Sequence, residues 1–404
     1  MDFDITIIGG GIAGLSAANA IMTNTNLSLA LIEGKDIGSN NPSPLTFLDI
    51  LEAHDLSNCI KEKYSSFTFQ NFHGSCIKYL FLNETLAVLD YKKACVKIFN
   101  RLNKVRNNFE FIDQYVTGIE QNANKAIVRL TNGSHISTKI LIDASGKKQL
   151  TPNLMNHHKV SYYSHVYGAF FSDVQIPDAN ISAYLLPSQE LGSGGGWFYS
   201  IGRNLATFGY AQITKTPQTD TESLKAIFHV ALENFTPYSN YLQGAKIEHI
   251  ETGVIPISYI NSFVFDNILV VGDAAGMATN WTCMGIEPAL KYGKLAGNLS
   301  VKAISEGNIN ELNLFQTQWA RENKASFDLV AKQVATFWES DHYFWEWIIK
   351  NDLALLSPQE VIDRLRKNEH LLKKHQIMAR TLSYKIRSII NKEVLTPQTY
   401  IIRE

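Results

Sequence analysis

The sequence predicts an α/β chain: a Rossmann-like domain, discontinuous in sequence, interrupted by an inserted, mostly antiparallel β-sheet domain and followed by a C-terminal helical region. Three observations predict this. An apolar run at 5–8 breaks into Gly9-Gly10-Gly11-Ile12-Ala13-Gly14 and then into helix formers through Ala20. A second apolar run ending in a glycine turn, 268–276, recurs far along the chain. Between them, over about 158–257, the β–α alternation gives way to aromatic-rich, strand-like segments.

The opening element explains itself chemically. Gly9, Gly11 and Gly14 stand at the spacing G-x-G-x-x-G, with a strand before and a helix after. The first glycine permits a sharp turn, the second a close backbone approach to a pyrophosphate, the third close packing of helix on strand. The helix N-terminus adds free N–H groups and a positive dipole end. Glu33 closes the next apolar strand, 27–32, nineteen residues after Gly14. An acid there accepts both hydroxyls of an adenosine ribose. Gly9, Gly10, Gly11, Ala13, Gly14 and Glu33 are therefore the candidate dinucleotide residues. A glycine-rich turn with no ligand is the alternative.

Further elements follow in order. Residues 40–44 form a loop, and 86–91 lead into a helix to about 102 that buries Ala94, Val96, Ile98, Phe99 and Leu102. Strands are expected at 109–112 and 115–116, then a hairpin of 126–130 and 136–140 turning at Asn132-Gly133. Residues 141–146 read as a strand entering another glycine turn. The insertion carries strands near 162–171, 196–199 and 206–213 and a helix near 221–235, and a long helix is expected over about 285–306. Everything beyond 314 reads as helical, with aromatic turns at Phe337-Trp338 and 343–347. The expected division is 1–75, 92–155 and 260–312 for the dinucleotide domain, 76–91 and 156–259 for the substrate domain, and 313–404 for the helical region.

Composition bounds the function. The chain has 404 residues, 45% hydrophobic and 19% charged, with a formal net charge of −1, which argues against generic nucleic-acid binding. No apolar run reaches transmembrane length, and the first strand leaves no room for a signal peptide. Four widely spaced cysteines (Cys59, Cys76, Cys95, Cys283) suggest neither a zinc site nor a disulfide framework, so a cytoplasmic setting is expected. Nine Lys/Arg against the single acid Glu369 make 364–392 strongly basic. That segment is either a solvated helix face or a patch for an anionic membrane surface or an acidic carrier protein, which would make the protein peripheral to a membrane.

A nucleotide domain that resumes with Gly272-Asp273-Ala274-Ala275-Gly276, continues as Met284-Gly285-Ile286-Glu287-Pro288-Ala289-Leu290 and reaches Gly293 is a narrower signal. Here the sequence resembles the FAD-dependent oxidoreductases of the p-hydroxybenzoate hydroxylase fold. The likeness is to the branch of geranylgeranyl reductases, lycopene-cyclase-like proteins and flavin-dependent halogenases. Residues 141–146 fit that branch, with Ser145 where aromatic hydroxylases carry Asp. The resemblance implies that FAD is the cofactor, that Asp273, after Gly272, holds the ribityl chain, and that the amides of Gly285 and Ile286 face N1/O2. There, N–H groups and a helix dipole would stabilise negative charge. It also implies that the backbone at Val116 meets the adenine. Departures are Asp90-Tyr91 for the family's Asp-Arg, Asn280-Trp281 where a Pro is expected, and 196–202, which matches the halogenase and reductase strand signatures only in part.

The resemblance leaves the reaction open. One possibility is hydride transfer to or from an apolar, unsaturated substrate, as in geranylgeranyl reductases. A second is monooxygenase or halogenase chemistry through oxygen at flavin C4a, and a third is a flavin-fold binding protein without catalysis. Candidate substrate-side residues are Trp197, Tyr199 and Trp281, with Phe198 and the C-terminal Trp338, Phe344, Trp345 and Trp347; core packing is the alternative for each. Cys283, beside Met284, would donate a proton or simply pack. Lys78 is the candidate halogenase lysine, a strand-edge lysine being the alternative. His54, His157 and His158 lack acidic partners at ligand spacing, so no metal is expected. No nicotinamide domain is recognisable, so electrons would come from transient NAD(P)H or a partner flavin reductase.

Overall fold

The computed structural model describes residues 1–105, 108–121, 125–154, 160–177, 179–331, 342–368 and 399–404. The opening strand Asp2–Ile8 pairs in parallel with Leu29–Ile32 on one side and His135–Asp143 on the other. Phe109–Ile112 extends the parallel sheet at one edge and Ile268–Val270 at the other. Burial on both faces explains the near-continuous apolar strands: Ile5, Ile7, Leu29, Leu31, Leu141 and Ile142 have no exposed surface. The Asn132-Gly133 turn closes the expected hairpin, with Gly133 at φ +82°.

The helices Ile12–Asn24 and Ile286–Ser305 lie together against this sheet. A Cβ on Gly293 would lie 2.3 Å from the Ala13 carbonyl oxygen, and one on Gly297 would lie 2.5 Å from that of Ala17. These contacts advance by one turn on both helices, so the helices run parallel and their N-termini meet at one end. The Ser16 hydroxyl donates to the Leu290 carbonyl at 2.7 Å across the same seam.

A second, eight-stranded sheet holds Lys246–Pro256, Tyr163–Ser172, Leu205–Thr214, Gly196–Ile201, Ser182–Leu185, Ser66–Gln70, Cys76–Leu80 and Tyr400–Arg403, in that order. Helix Thr221–Asn234 covers one face, burying Leu224, Phe228 and Ala231 against Tyr167, Phe171, Phe198 and Phe208. Alternation turns the other residues of the same strands, Ser164, Gly168, Phe170, Trp197, Tyr199, Thr207 and Glu251, to the opposite face. A small sheet of Leu45–Phe47, Leu86–Leu89 and Ile60–Tyr64 is hydrogen-bonded into neither and packs against the second.

Two sequence expectations differ. Ser66–Gln70, counted with the dinucleotide domain, pairs with Ser182–Leu185 and Cys76–Leu80 in the second sheet. Its run of buried residues, rather than alternation, hid it as a strand. The C-terminal region is not wholly helical: Tyr400–Arg403 adds a parallel edge strand to Cys76–Leu80, pairing that only a long-range partner reveals. His157, His158, Phe337, Trp338 and 369–392 of the basic segment lie outside the described residues. Among the described residues, no helix is long and apolar enough to cross a membrane.

Candidate flavin site

The glycine turn is built for close approach. Gly9 has φ +104°, and a Cβ there would meet the Ala144 carbonyl oxygen at 2.2 Å. A Cβ on Gly14 would lie 2.0 Å from the Gly9 carbonyl oxygen, so helix and strand touch backbone to backbone. The Gly10 N–H donates to Glu33 at 2.9 Å and the Lys35 N–H to its other oxygen at 3.1 Å, which fixes the carboxylate at the strand end. Each carboxylate oxygen retains a lone pair for a ribose hydroxyl. Beside it, Gly34, Lys35, Asp36, Ser39, Asn40 and Asp113 line an open depression of about 470 Å³. Gly34 lies under the Tyr115 ring, and Val116 begins the next strand. The depression lies at the carboxyl ends of the Leu29–Ile32 and Phe109–Ile112 strands, where open α/β sheets take ligands.

Tyr91, standing where the resemblance expects arginine, starts its helix with its hydroxyl at this turn. It accepts from the Ile12 N–H at 3.4 Å and lies 3.2 Å from where a Cβ on Gly11 would be. Burial raises its pKa well above the usual phenol range, so it offers a neutral hydroxyl in place of a cation.

At the second fingerprint, Gly272 at φ +64° sets its Cα against Ala13, where a Cβ would lie 2.8 Å from the Ala13 methyl group. Asp273 follows on a tight turn closed by Gly276 at φ +67°. Desolvation by burial pushes the Asp273 carboxyl up to about 6. A desolvated carboxylate of this kind calls for a hydroxyl donor. Its Oδ1 lies 3.5 Å from where a Cβ on Gly285 would stand, at the start of the Ile286–Ser305 helix. Asp273, the Gly285 and Ile286 amides and the opening glycine turn thus share one end of the paired helices. These features fit a dinucleotide with a hydroxylated chain. Ser145 does local work instead: its hydroxyl accepts from the Leu150 N–H at 3.1 Å.

The loop before Gly285 folds on itself. The Cys283 and Met284 N–H groups donate to the carbonyl and hydroxyl oxygens of Thr279 at 3.0 and 2.9 Å. Cys283 takes φ +57°, and burial raises its thiol to about 11, with Ser164 and Asp273 among its neighbours. Ser164 belongs to the uncovered face of the second sheet, so this face meets the loop. There the Trp197 indole lies flat over paired Gly168 and Gly209, where Cβ atoms would be 2.6 and 2.3 Å from its ring. Its Nε1–H donates to Thr207 Oγ1 at 3.0 Å, and Thr207 donates to Glu251 Oε2 at 2.9 Å. Tyr199, two residues along, feels both Glu251 and Cys283, and burial raises its pKa.

The remaining candidates lie elsewhere. Trp281 is 3% exposed and packs 6.0 Å from Tyr184 and 6.1 Å from Trp345, inside a core cluster that also holds Phe344. Lys78 sits between two paired strands, on the face opposite its neighbours Ile77 and Tyr79 of that cluster. Lys61, which sequence reasoning missed, lies where the small sheet meets the Phe170 and Glu251 face of the second sheet instead. Its ammonium donates to Ser43 at 2.9 Å, covers the Phe170 ring at 4.8 Å, and is close enough to Glu251 and Asp90 to feel both. Burial lowers its pKa. Nothing in its local sequence marks it; only the folding of Phe170 and Glu251 around it does.

Comparison with known proteins bears on the fold. The lycopene cyclase protein family matches residues 4–180. The structure is similar to a geranylgeranyl bacteriochlorophyll reductase-like protein from Thermoplasma acidophilum (TM-score 0.70, 17% identity, 97% of this chain and 96% of that one). It is also similar to the flavin-dependent brominase Bmp2 (TM-score 0.71, 15% identity, 96% and 100%). A p-nitrophenol 4-monooxygenase from Pseudomonas putida follows (TM-score 0.68, 13% identity, 91% and 99%). The chain therefore shares its fold with this reductase-like protein, this flavin-dependent halogenase and this monooxygenase. In sequence it is similar to digeranylgeranylglycerophospholipid reductase 2 of Methanosphaera stadtmanae, 32% identical over 29% of this chain and 28% of that protein. Reductase 1 of Methanopyrus kandleri is 29% identical over 36% of this chain and 38% of that protein. The matches span well under half the length of these curated relatives.

Proposed function

We propose that the chain is an FAD-dependent oxidoreductase that transfers hydride to or from an apolar, unsaturated substrate, in the manner of the geranylgeranyl reductases. One observation carries this reading: the sheet face that holds the flat Trp197 on its glycine floor also holds Ser164, which meets the loop that joins desolvated Asp273 to the Gly285 amide. Bound FAD would supply hydride transfer at N5. The chain's part is to hold it: Gly9, Gly10, Gly11, Ala13 and Gly14 at the pyrophosphate, Glu33 on the ribose, Val116 at the adenine, Gly272 and Asp273 at the ribityl chain, Gly285 and Ile286 at the pyrimidine end. Trp197 and Tyr199 would present an apolar, water-excluding surface to the substrate. The archaeal relatives named as phospholipid reductases support a lipid substrate, and the basic run 364–392 supports delivery from an anionic surface. The purified protein should be yellow, and its dithionite-reduced form should be reoxidised anaerobically by a geranylgeranyl lipid. A protein that stays colourless with added FAD would refute the flavin reading; reduced protein inert to polyprenyl lipids would refute the substrate class.

Lys61 favours a second reading, a halogenase or monooxygenase. A half-buried ammonium where the small sheet meets the substrate sheet suits the lysine that the halogenase resemblance calls for better than Lys78 does. Oxygen-dependent, halide-dependent products would select it. In either reading electrons would come from NAD(P)H or a partner flavin reductase, and stopped-flow reduction by NADPH separates the two sources.

A further inference from the structure

We propose that Arg366 and Asn368, in the C-terminal region, are positioning residues for the flavin-facing loop, so that this region forms part of the FAD site. This rests on the reading that the segment from Asp273 to Gly285 holds the flavin. Asn368 is 2% exposed, and its carboxamide grips Asn280 twice. It accepts from the Asn280 N–H at 2.9 Å and donates to the Asn280 side-chain oxygen at 2.7 Å. Asn280 in turn donates to the Ile257 carbonyl at 2.5 Å. Asn368 holds φ +50°, a left-handed conformation that asparagine tolerates.

Two residues earlier, Arg366 lies over the Phe47 ring at 4.3 Å and pairs with Asp49 at 2.5 Å. Its Nε stands 3.4 Å from Glu287, in the first turn of the Ile286–Ser305 helix. One short stretch of chain thus holds residue 280 before the loop and residue 287 after it. Between those grips lie Cys283, with its positive φ, and the Met284 and Gly285 amides. Were Asn368 removed, a buried N–H and carboxamide oxygen of Asn280 would lose their partner, and the loop would shift to find water.

The test uses the holoprotein. Asn368→Gly keeps the left-handed backbone and removes the amide. Its FAD dissociation constant should rise about tenfold, as expected for losing two buried hydrogen bonds, with shifted visible flavin bands. Arg366→Gln, at a partly exposed site, should give a smaller shift of the same bands and keeps the test alive if Asn368→Gly does not fold. Asp273→Ala probes the underlying reading. If it weakens FAD while both clamp variants keep wild-type affinity, spectrum and midpoint potential, even with a lower Tm, the inference is overturned and the clamp is only structural. If Asp273→Ala also leaves FAD unaffected, the inference falls together with the site reading.

Discussion

Gly293 sits so close to Ala13 that a side chain on it would occupy the Ala13 carbonyl: a Cβ there would be 2.3 Å from that oxygen. The seam repeats one turn on at Gly297 and Ala17, and it brings two helix N-termini to one end of the sheet. Gly293→Ala must push the helices apart. A loss of about 1–3 kcal/mol in stability is expected, and on the proposed cofactor site FAD retention should weaken too, since both helix ends move. Gly118→Ala is the control. The atom nearest its Cβ would be Arg129 Cδ, at an ordinary 3.5 Å, and stability should change by less than about 0.5 kcal/mol. Thermal unfolding with and without FAD reads both.

With Asp273 at the ribityl chain, as proposed, FAD binding should depend on pH. The Asp273 carboxyl rises from 3.8 to about 6 on burial. Between those values the FAD-free native state binds more protons than the unfolded chain, so its stability should fall as pH rises from about 4 to about 6 and level off above. A ribityl hydroxyl donating to the carboxylate favours the ionised form, so binding expels a proton below about pH 6 and affinity should weaken there. Asp273→Asn should bind less tightly at neutral pH and lose this acid-side dependence. Fluorescence titration of FAD across pH checks both slopes.

Much of the glycine-turn geometry was legible because its signals are local. Gly9, Gly14 and Gly272 announce positive φ or backbone contact, and Glu33 closes a strand whose apolar run marks burial on both faces. The substrate side was less legible because its chemistry is assembled across strands. Trp197 reads as a plausible pocket residue, but its orientation depends on Gly168, Gly209 and Thr207, which neighbour it only through sheet pairing. Lys61 and Lys78 look alike in sequence; the pleat and the folding of Phe170 over one of them separate their environments. The Asn280–Asn368 pair spans 88 residues and had no sequence signal at all.

The two lysines offer a direct contrast. Lys61→Gln removes a desolvated ammonium beside Phe170, Ser43 and Glu251, so turnover should fall by at least about tenfold while FAD stays bound. Lys78→Gln, on the opposite side of its sheet from the Trp281 cluster, should keep near wild-type turnover. Equal turnover in the two variants, assayed with whichever substrate class proves active, would remove Lys61 from the site.

The Trp197–Thr207–Glu251 chain predicts a substrate effect separable from the flavin. Thr207 is fully buried; it accepts from the indole N–H at 3.0 Å and donates to a carboxylate that is 7% exposed, at 2.9 Å. Thr207→Val keeps the shape but strands an indole donor and a buried carboxylate oxygen, costing about 2–3 kcal/mol. Freed from Thr207, the indole can rotate off Gly168 and Gly209, which offer no side chain to hold it. KM should therefore rise several-fold with the flavin spectrum unchanged, and Thr207→Ser, which retains the hydroxyl, should restore most of both stability and KM. A Thr207→Val protein with wild-type KM would mean that Trp197 is held by packing alone and that the hydrogen-bond chain serves stability rather than the substrate.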